Sequence, residues 1–396
     1  MSDPLRVLSI AHAAVSREAG RLRYYPLAER GDLELDLVVP ARWHQFGRVI
    51  AADPADDPVR VHVEPIRLAR AGPMGWYLHF YPGLRRLLRR TRADVVHLWE
   101  EPWSVVALQA CLLKGRAALV LEVDQNILKT LPPPFEAMRR FVLARTDHIL
   151  SRSPDATAVV RAGGYAGPVT MIGYGVDETR FRLAQTPPPA HAGLRIGYVG
   201  RIIEEKGLDE ALDAMARATA PVSLAIMGEG PYEAQLRRRA AELGLADRVT
   251  IRGWGIPAEV APFIHGLDAL VLLTRTTQAV REQFGRVITE AQACGVPVIG
   301  SECGAIPSVV GPGGWIVPER DPEALARLLD AIAAAPEDRA ARAAAGRRNV
   351  AQRFTYDAVA QSLVRAWTEA AAARRGDPAA NTKAAFRHPD LPRTQR

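Results

Sequence analysis

Short apolar runs alternate along the chain with longer stretches in which apolar positions recur at helical spacing. The runs are LRVLSI (5–10), LELDLVVP (33–40), DVVHLW (94–99), AALVLEV (117–123), HILSRS (148–153) and PVTMI (168–172). Each is too short for a helix, so they predict buried strands, and the alternation predicts βαβ units on a parallel sheet. After RLAQTPPPAHAG, which offers little to pack, a second series begins: LRIGYVG (194–200), VSLAIMG (222–228), RVTIRG (248–253), ALVLLT (269–274), PVIGS (297–301) and GWIVP (314–318). The pattern predicts an α/β protein of two doubly wound domains facing a central cleft. The expected division is an N-terminal domain at 1–181, a linker at 182–193, a C-terminal domain at 194–352 and a terminal helix at 353–374. The polar, proline-bearing tail at 375–396 is expected to be disordered.

Composition narrows the function classes. With 396 residues, 48% hydrophobic and 24% charged, the chain matches ordinary globular usage, which excludes collagen-like, coiled-coil and wholly disordered proteins. Lys and Arg number 51 against 44 Asp and Glu, a net +7, which suggests an anionic partner such as phosphate, nucleic acid or a membrane surface. Three cysteines, Cys111, Cys294 and Cys303, lack CxxC spacing, so neither a disulfide framework nor a structural metal is indicated. No apolar run approaches the ~18–20 residues of a membrane span, and the N-terminus has no long export-type apolar region. A cytoplasmic protein is expected. Residues 65–92 carry seven arginines and no acid, with LRRLLRR amphipathic at helical spacing and Trp76, Tyr77, Phe80 and Tyr81 nearby. Two readings stand side by side: an interfacial helix giving peripheral contact with an anionic membrane at its inner face, or a core-facing helix with a solvated arginine face.

The stretch REQFGRVITEAQACGVPVIGSECGAIPSVVG (281–311) carries the most chemistry. Glu282 and Glu290 are separated by seven residues around a Phe-Gly step, and GRVITEAQACG reads as a helix starting at Gly285. Free amides at a helix start, aided by the macrodipole, would hold a phosphate at Gly285, Arg286 and Val287. Glu282 would face whatever hangs from that phosphate, and Glu290 could accept hydrogen bonds from a ribose. In GYVGRIIEEKGLDEAL (197–212), Arg201 and Lys206 follow a strand, where ligands of open α/β sheets bind, and Gly200 and Gly207 permit close backbone approach.

The string E-x-F-G-x-x-x-x-E-A-x-A-C-G-x-P-V-I-x-S at 282–301 resembles the signature of the retaining glycosyltransferases of family 4, which have the GT-B fold of two Rossmann-like domains. The donor-phosphate loop at 197–212, GEGPYEAQL (228–236) and YGVDETRF (174–181) resemble the same family, and the likeness spans roughly 5–374. It implies that Arg201 and Lys206 contact the diphosphate of a nucleotide-diphosphate sugar and that Glu290 contacts the ribose. Glu282 would contact the sugar, and Phe284, Gly285, Arg286 and Val287 would give backbone contacts. The base is expected near Arg252, Gly253 and Trp254. The resemblance further implies that the terminal helix packs on the N-terminal domain and that the donor is a co-substrate with no cofactor. It implies, too, front-face displacement with no protein nucleophile and no metal ion. Two fixed cations at a departing diphosphate stabilise charge that grows in the transition state.

The N-terminal half departs from the family pattern. Its first strand is followed by AHAAVSREAG, with no glycine before Gly20, and DVVHLWEEPW has His97 where relatives have their first histidine but Trp99 and Glu100 where a second is expected. Glu100 or Glu101 would take its place at the acceptor, or be solvated strand-end acids; His97 reads as a core residue. His12, Asp124, Gln125 and Asn126, after strands at the same edge, are acceptor-contact candidates or loop caps. The rivals are a hydrolysing epimerase of the same fold and a non-catalytic nucleotide-sugar-binding protein. A nicotinamide dehydrogenase lacks its G-x-G-x-x-G with a following acid, and no nucleic-acid module is present, so no nucleic-acid partner is expected.

Overall fold

The computed structural model describes residues 3–45, 48–69, 75–186 and 191–376. The tail from 377 onward and residues 187–190 of the expected linker lie outside them.

Fifteen strands are described: β1 (Leu5–Ala11), β2 (Leu33–Pro40), β3 (Arg42–Gln45), β4 (Arg48–Ala51), β5 (Arg60–Glu64), β6 (Val95–Trp99), β7 (Ala118–Val123), β8 (His148–Ser151), β9 (Val169–Met171), β10 (Leu194–Val199), β11 (Val222–Met227), β12 (Val249–Arg252), β13 (Ala269–Leu272), β14 (Val298–Ser301) and β15 (Gly314–Val317). Two parallel sheets result, β5-β2-β1-β6-β7-β8-β9 and β12-β11-β10-β13-β14-β15. In each, the first strand lies beside the fourth, so the order reverses there and the loops leaving those strands part to form a crevice. The strands of both sheets read as near-continuous apolar runs because helices cover both faces.

Three elements were not predicted from the apolar runs: β5 and the antiparallel hairpin of β3 and β4. β5, RVHVE, pairs only with β2 at the sheet edge and is half-exposed, so it lacks the apolar density of a buried strand.

One face of the first sheet packs on the helix Tyr356–Arg375, whose Leu363, Trp367 and Ala370 are buried with Val7, Leu37 and Val120. Thr355 caps that helix by accepting from Ala358 N at 3.0 Å, and the Val176 N–H to Phe354 O bond fixes where the chain returns. The other face packs on the helices Leu84–Thr91, Val105–Leu113 and Pro133–Leu143. Leu84 and Leu87 sit in that core while Arg85, Arg86, Arg89 and Arg90 face solvent. Of the two readings of 65–92, the helix Leu84–Thr91 shows the core-facing leucines and solvated arginines of the second, while Leu68 and Trp76 of the same stretch are exposed and residues 70–74 lie outside the described residues. Among the described residues no helix is long and apolar enough to cross a membrane.

Candidate active site

The two crevices face each other. On the C-terminal side, Gly285 caps the helix Arg286–Ala293 in the left-handed region (φ 76°), where a Cβ would be strained, so the signature's Phe-Gly step turns the chain sharply into the helix. Glu282 precedes that turn. Its Oε2 accepts from Lys206 Nζ at 2.6 Å and from Thr274 Oγ1 at 2.9 Å, and Lys206 also reaches Thr274 at 3.2 Å. Lys206 comes from the loop after β10 and Thr274 from the end of β13, the two strands at the order reversal. Gly207 (φ 65°) makes that loop possible, since a Cβ there would lie 2.3 Å from Leu273 O.

Arg201, Lys206 and Glu282 line a cavity of about 820 Å³ with Gln125, Asn126 and Lys129 of the first half. A second cavity, about 490 Å³, is lined by Arg286, Glu290, Arg180, Val199, Trp254 and Gly255. Burial pushes the Glu290 carboxyl up, with Arg286 and Arg180 pulling it back. Thus Arg201, Lys206 and Glu282 share one space and Trp254, Arg286 and Glu290 the adjoining one. Arg252 and Gly253 line a third cavity of about 440 Å³ that shares Trp254 and Gly255 with the second. The Gly200 amide is bonded to Met227 O at 3.0 Å. Phe284 is buried edge-to-face between Tyr174 (5.1 Å) and Phe354 (5.5 Å), so its ring braces the loop. Val287 packs half-buried against the second core.

On the N-terminal side, a cavity of about 640 Å³ is lined by His12, Trp76, Glu100, Glu101, Asp124 and Gln125, and across from them by Glu282 and Phe284–Arg286. His12 follows β1 and Glu100 follows β6, the pair at the first sheet's reversal. His12 Nδ1 donates to Glu100 Oε1, and His79 Nε2 lies 3.3 Å from the same oxygen. Burial lowers the His12 ring's affinity for a proton, but the Glu100 charge outweighs it and raises the pKa. Burial pushes Glu100 up, and His12 and His79 more than reverse it, to about 2. Burial and the Asp124 charge push Glu101 up to about 8, against two N–H donors, Asp124 N at 2.9 Å and Gln125 N at 2.8 Å.

Two of the acceptor-contact candidates also hold other parts of the chain. Asn126 is buried, and its Nδ2 donates to Arg281 O (3.2 Å) and Glu282 O (2.9 Å), so it fastens the loop before Gly285 from across the cleft. Asp124 accepts from Trp99 Nε1 (2.9 Å), Arg152 Nε (2.6 Å) and Tyr174 OH (3.0 Å), which makes it a junction in the cavity wall.

That junction opens onto a network the sequence reading missed. Glu122 lies fully buried on β7, paired with Arg23 (2.5 and 3.0 Å) and with Arg152, and His97 Nε2 is 3.2 Å away. His97 is also 2.9 Å from Ser9 Oγ. Both guanidiniums lie 4.7 Å from the Trp99 ring. Arg152 also donates to Gly173 O at 2.8 Å, where the chain leaves the first domain. Burial raises the Glu122 carboxyl, but Arg152 and Arg23 hold it well below the usual range. A signal existed: a lone acid within AALVLEV cannot be buried without a cationic partner. Thr274 gave no signal beyond its place at a strand end. Among the described residues, no group of three or more His, Cys, Asp or Glu side chains is placed to hold a metal ion.

Both halves of the chain match known protein families. Residues 27–180 match the family description "Glycosyltransferase Family 4", and residues 185–349 match "Glycosyl transferases group 1". A GDP-mannose-dependent alpha-(1-6)-phosphatidylinositol monomannoside mannosyltransferase of Mycobacterium tuberculosis is 32% identical over 315 residues, 71% of this chain and 79% of the relative. A lipopolysaccharide core biosynthesis mannosyltransferase of Rhizobium meliloti is 28% identical over 311 residues, 71% of this chain and 84% of that one. Among solved structures, a sucrose-phosphate synthase from Thermosynechococcus elongatus superposes with a TM-score of 0.67 at 21% identity, covering 94% of this chain and all of the other, which establishes the GT-B fold.

Proposed function

The chain belongs to glycosyltransferase family 4, and on that footing we propose that it transfers a sugar, with retention and without a metal ion, from a nucleotide-diphosphate sugar to a glycan, lipid-linked or small-molecule acceptor. GDP-mannose is the first donor to test, because two relatives are mannosyltransferases and one depends on that nucleotide sugar.

The observation that carries the reading is the cluster of Lys206, Thr274 and Glu282 beside Arg201 and the helix Arg286–Ala293. In this reading Glu290 holds the ribose, the base lies toward Trp254 and Gly255, and the diphosphate lies between the helix start and the two cations. As the bond from the anomeric carbon to the phosphate oxygen breaks, charge builds on that oxygen, and Arg201 and Lys206 stabilise it more than they stabilise the bound donor. The acceptor oxygen bonds the anomeric carbon from the same face, and its proton passes to the departing phosphate oxygen. Glu282 grips sugar hydroxyls, with Lys206 and Thr274 fixing its carboxylate.

The test separates the two roles. Glu282→Ala should lower turnover of GDP-mannose or UDP-glucose by about 10³-fold while GDP and UDP affinity changes less than threefold. Lys206→Ala should weaken diphosphate affinity by about tenfold or more, with EDTA present throughout. Parallel loss of both quantities in Glu282→Ala would refute its assignment to the sugar.

A further inference from the structure

The proposed function leaves one cluster unused. His12, His79 and Glu100 come from three distant segments and meet at the first sheet's strand-order reversal, opposite the proposed sugar site. A carboxylate is costly to bury, yet the Glu100 side chain is only 6% exposed; its oxygen lies between two imidazoles, one bonded and the other 3.3 Å away. His79 is locked in turn, with Nδ1 donating to Trp76 O at 2.9 Å. His12 is therefore fixed in orientation: Nδ1 faces Glu100, and Nε2 is the ring nitrogen left for a ligand. Its ring also stacks at 4.5 Å from Trp43 and meets Trp76 edge-on at 5.4 Å.

Trp76 supplies the second half of the site. It lines the same cavity as His12 and is 42% exposed, so part of its ring is open to the cavity's contents. A rigid aromatic face next to a fixed hydrogen-bonding nitrogen, with the Glu101 carboxyl and Gln125 on the same wall, suits a ligand with an apolar ring face and a polar rim. A polyhydroxylated six-membered ring has that form.

We propose that His12 is the residue that hydrogen-bonds the acceptor, through Nε2 to a hydroxyl of a polyhydroxylated ring lying on Trp76, and that Glu100 and His79 are positioning residues that hold the imidazole. The inference rests on the donor-site assignment and specifies what the opposite wall binds.

The experiment uses the full chain, GDP-mannose and UDP-glucose as donors, and a panel of p-nitrophenyl α- and β-pyranosides as acceptors. His12→Ala should lower kcat/KM for the pyranoside by at least 100-fold, and Glu100→Gln by about tenfold, with the Kd for GDP or UDP moving less than twofold. Trp76→Ala, an exposed position that should not affect folding, should raise the pyranoside KM about tenfold with kcat little changed. Unchanged pyranoside kinetics in His12→Ala would overturn the assignment, as would a parallel loss of nucleotide affinity. Failure of the wild-type protein to use any pyranoside while it binds GDP or UDP would overturn the ligand class. A wild-type protein that binds neither nucleotide defeats the donor-site assignment instead.

Discussion

The two walls of the cleft share a strand order and differ in how they hold charge. On the C-terminal wall, Lys206 and Glu282 keep 18% and 15% of their side chains exposed, and the chemistry sits on the surface of a closed apolar core. On the N-terminal wall, charge runs down through the sheet: Asp124 in the cavity wall, then Arg152, then Glu122 and Arg23, the last three fully buried. The contrast teaches that a charge positioned to meet a ligand keeps some exposure and few partners, whereas a charge that shapes a wall is saturated by its neighbours.

The largest effect expected from breaking this contrast is on stability. Arg152→Met leaves Glu122 half-paired in the core and frees the chain at Gly173, and should cost about 3–5 kcal/mol in urea denaturation. Arg275→Met is the matched change on the other wall, where Arg275 pairs with Glu210 at 2.5 Å and Asp209 at 2.7 Å nearer to solvent, and should cost about 1–3 kcal/mol. Equal losses would erase the proposed difference between the walls.

A smaller effect sharpens it by pH. Glu101 is raised to about 8 in the fold, above its ordinary value, so its contribution favours the fold at low pH and is lost as pH rises through about 8. Glu101→Gln keeps an oxygen for the Asp124 and Gln125 amides but cannot ionise. Its stability relative to the wild type should therefore increase steadily between about pH 4.5 and 8. A flat difference across that range would place Glu101 in water.

The smallest effect is expected on the outer face of the first domain. Replacing Arg85, Arg86, Arg89 and Arg90 together with glutamine should change stability by less than about 0.5 kcal/mol per site, because all four are exposed. The same variant tests whether charge alone draws this face to anionic vesicles: salt-reversible binding by the wild type and its loss in the variant would support that contact, and no binding by either would end it.

How legible each wall was follows from distance along the chain. Gly285, Glu290 and the helix between them lie within one short stretch, and Gly200 to Gly207 within another, so local spacing exposed both. Glu282 was legible as a candidate, but its partners Lys206 and Thr274 lie 76 and 8 residues away, and nothing in the spacing joined the three. Asn126 was read as an acceptor contact because it follows a strand at the ligand edge; that position is real, and its amide also reaches 155 and 156 residues along, to Arg281 O and Glu282 O.

By itself the sequence determined the alternation of strand and helix, the two-domain α/β architecture and the candidate donor residues, because apolar periodicity, helix starts and glycine turns act over a few residues. Only the tertiary structure decided that His12 meets Glu100 and His79, that Glu122 lies between two arginines, and that the amphipathic helix at 84–91 turns its leucines inward. Those outcomes depend on register between neighbouring strands, Ser9 beside His97 and Trp99 beside Glu122. They depend as well on which face each helix buries. A buried charge is tolerable only where its partner arrives through space, and the order of residues along the chain does not say which partner that will be.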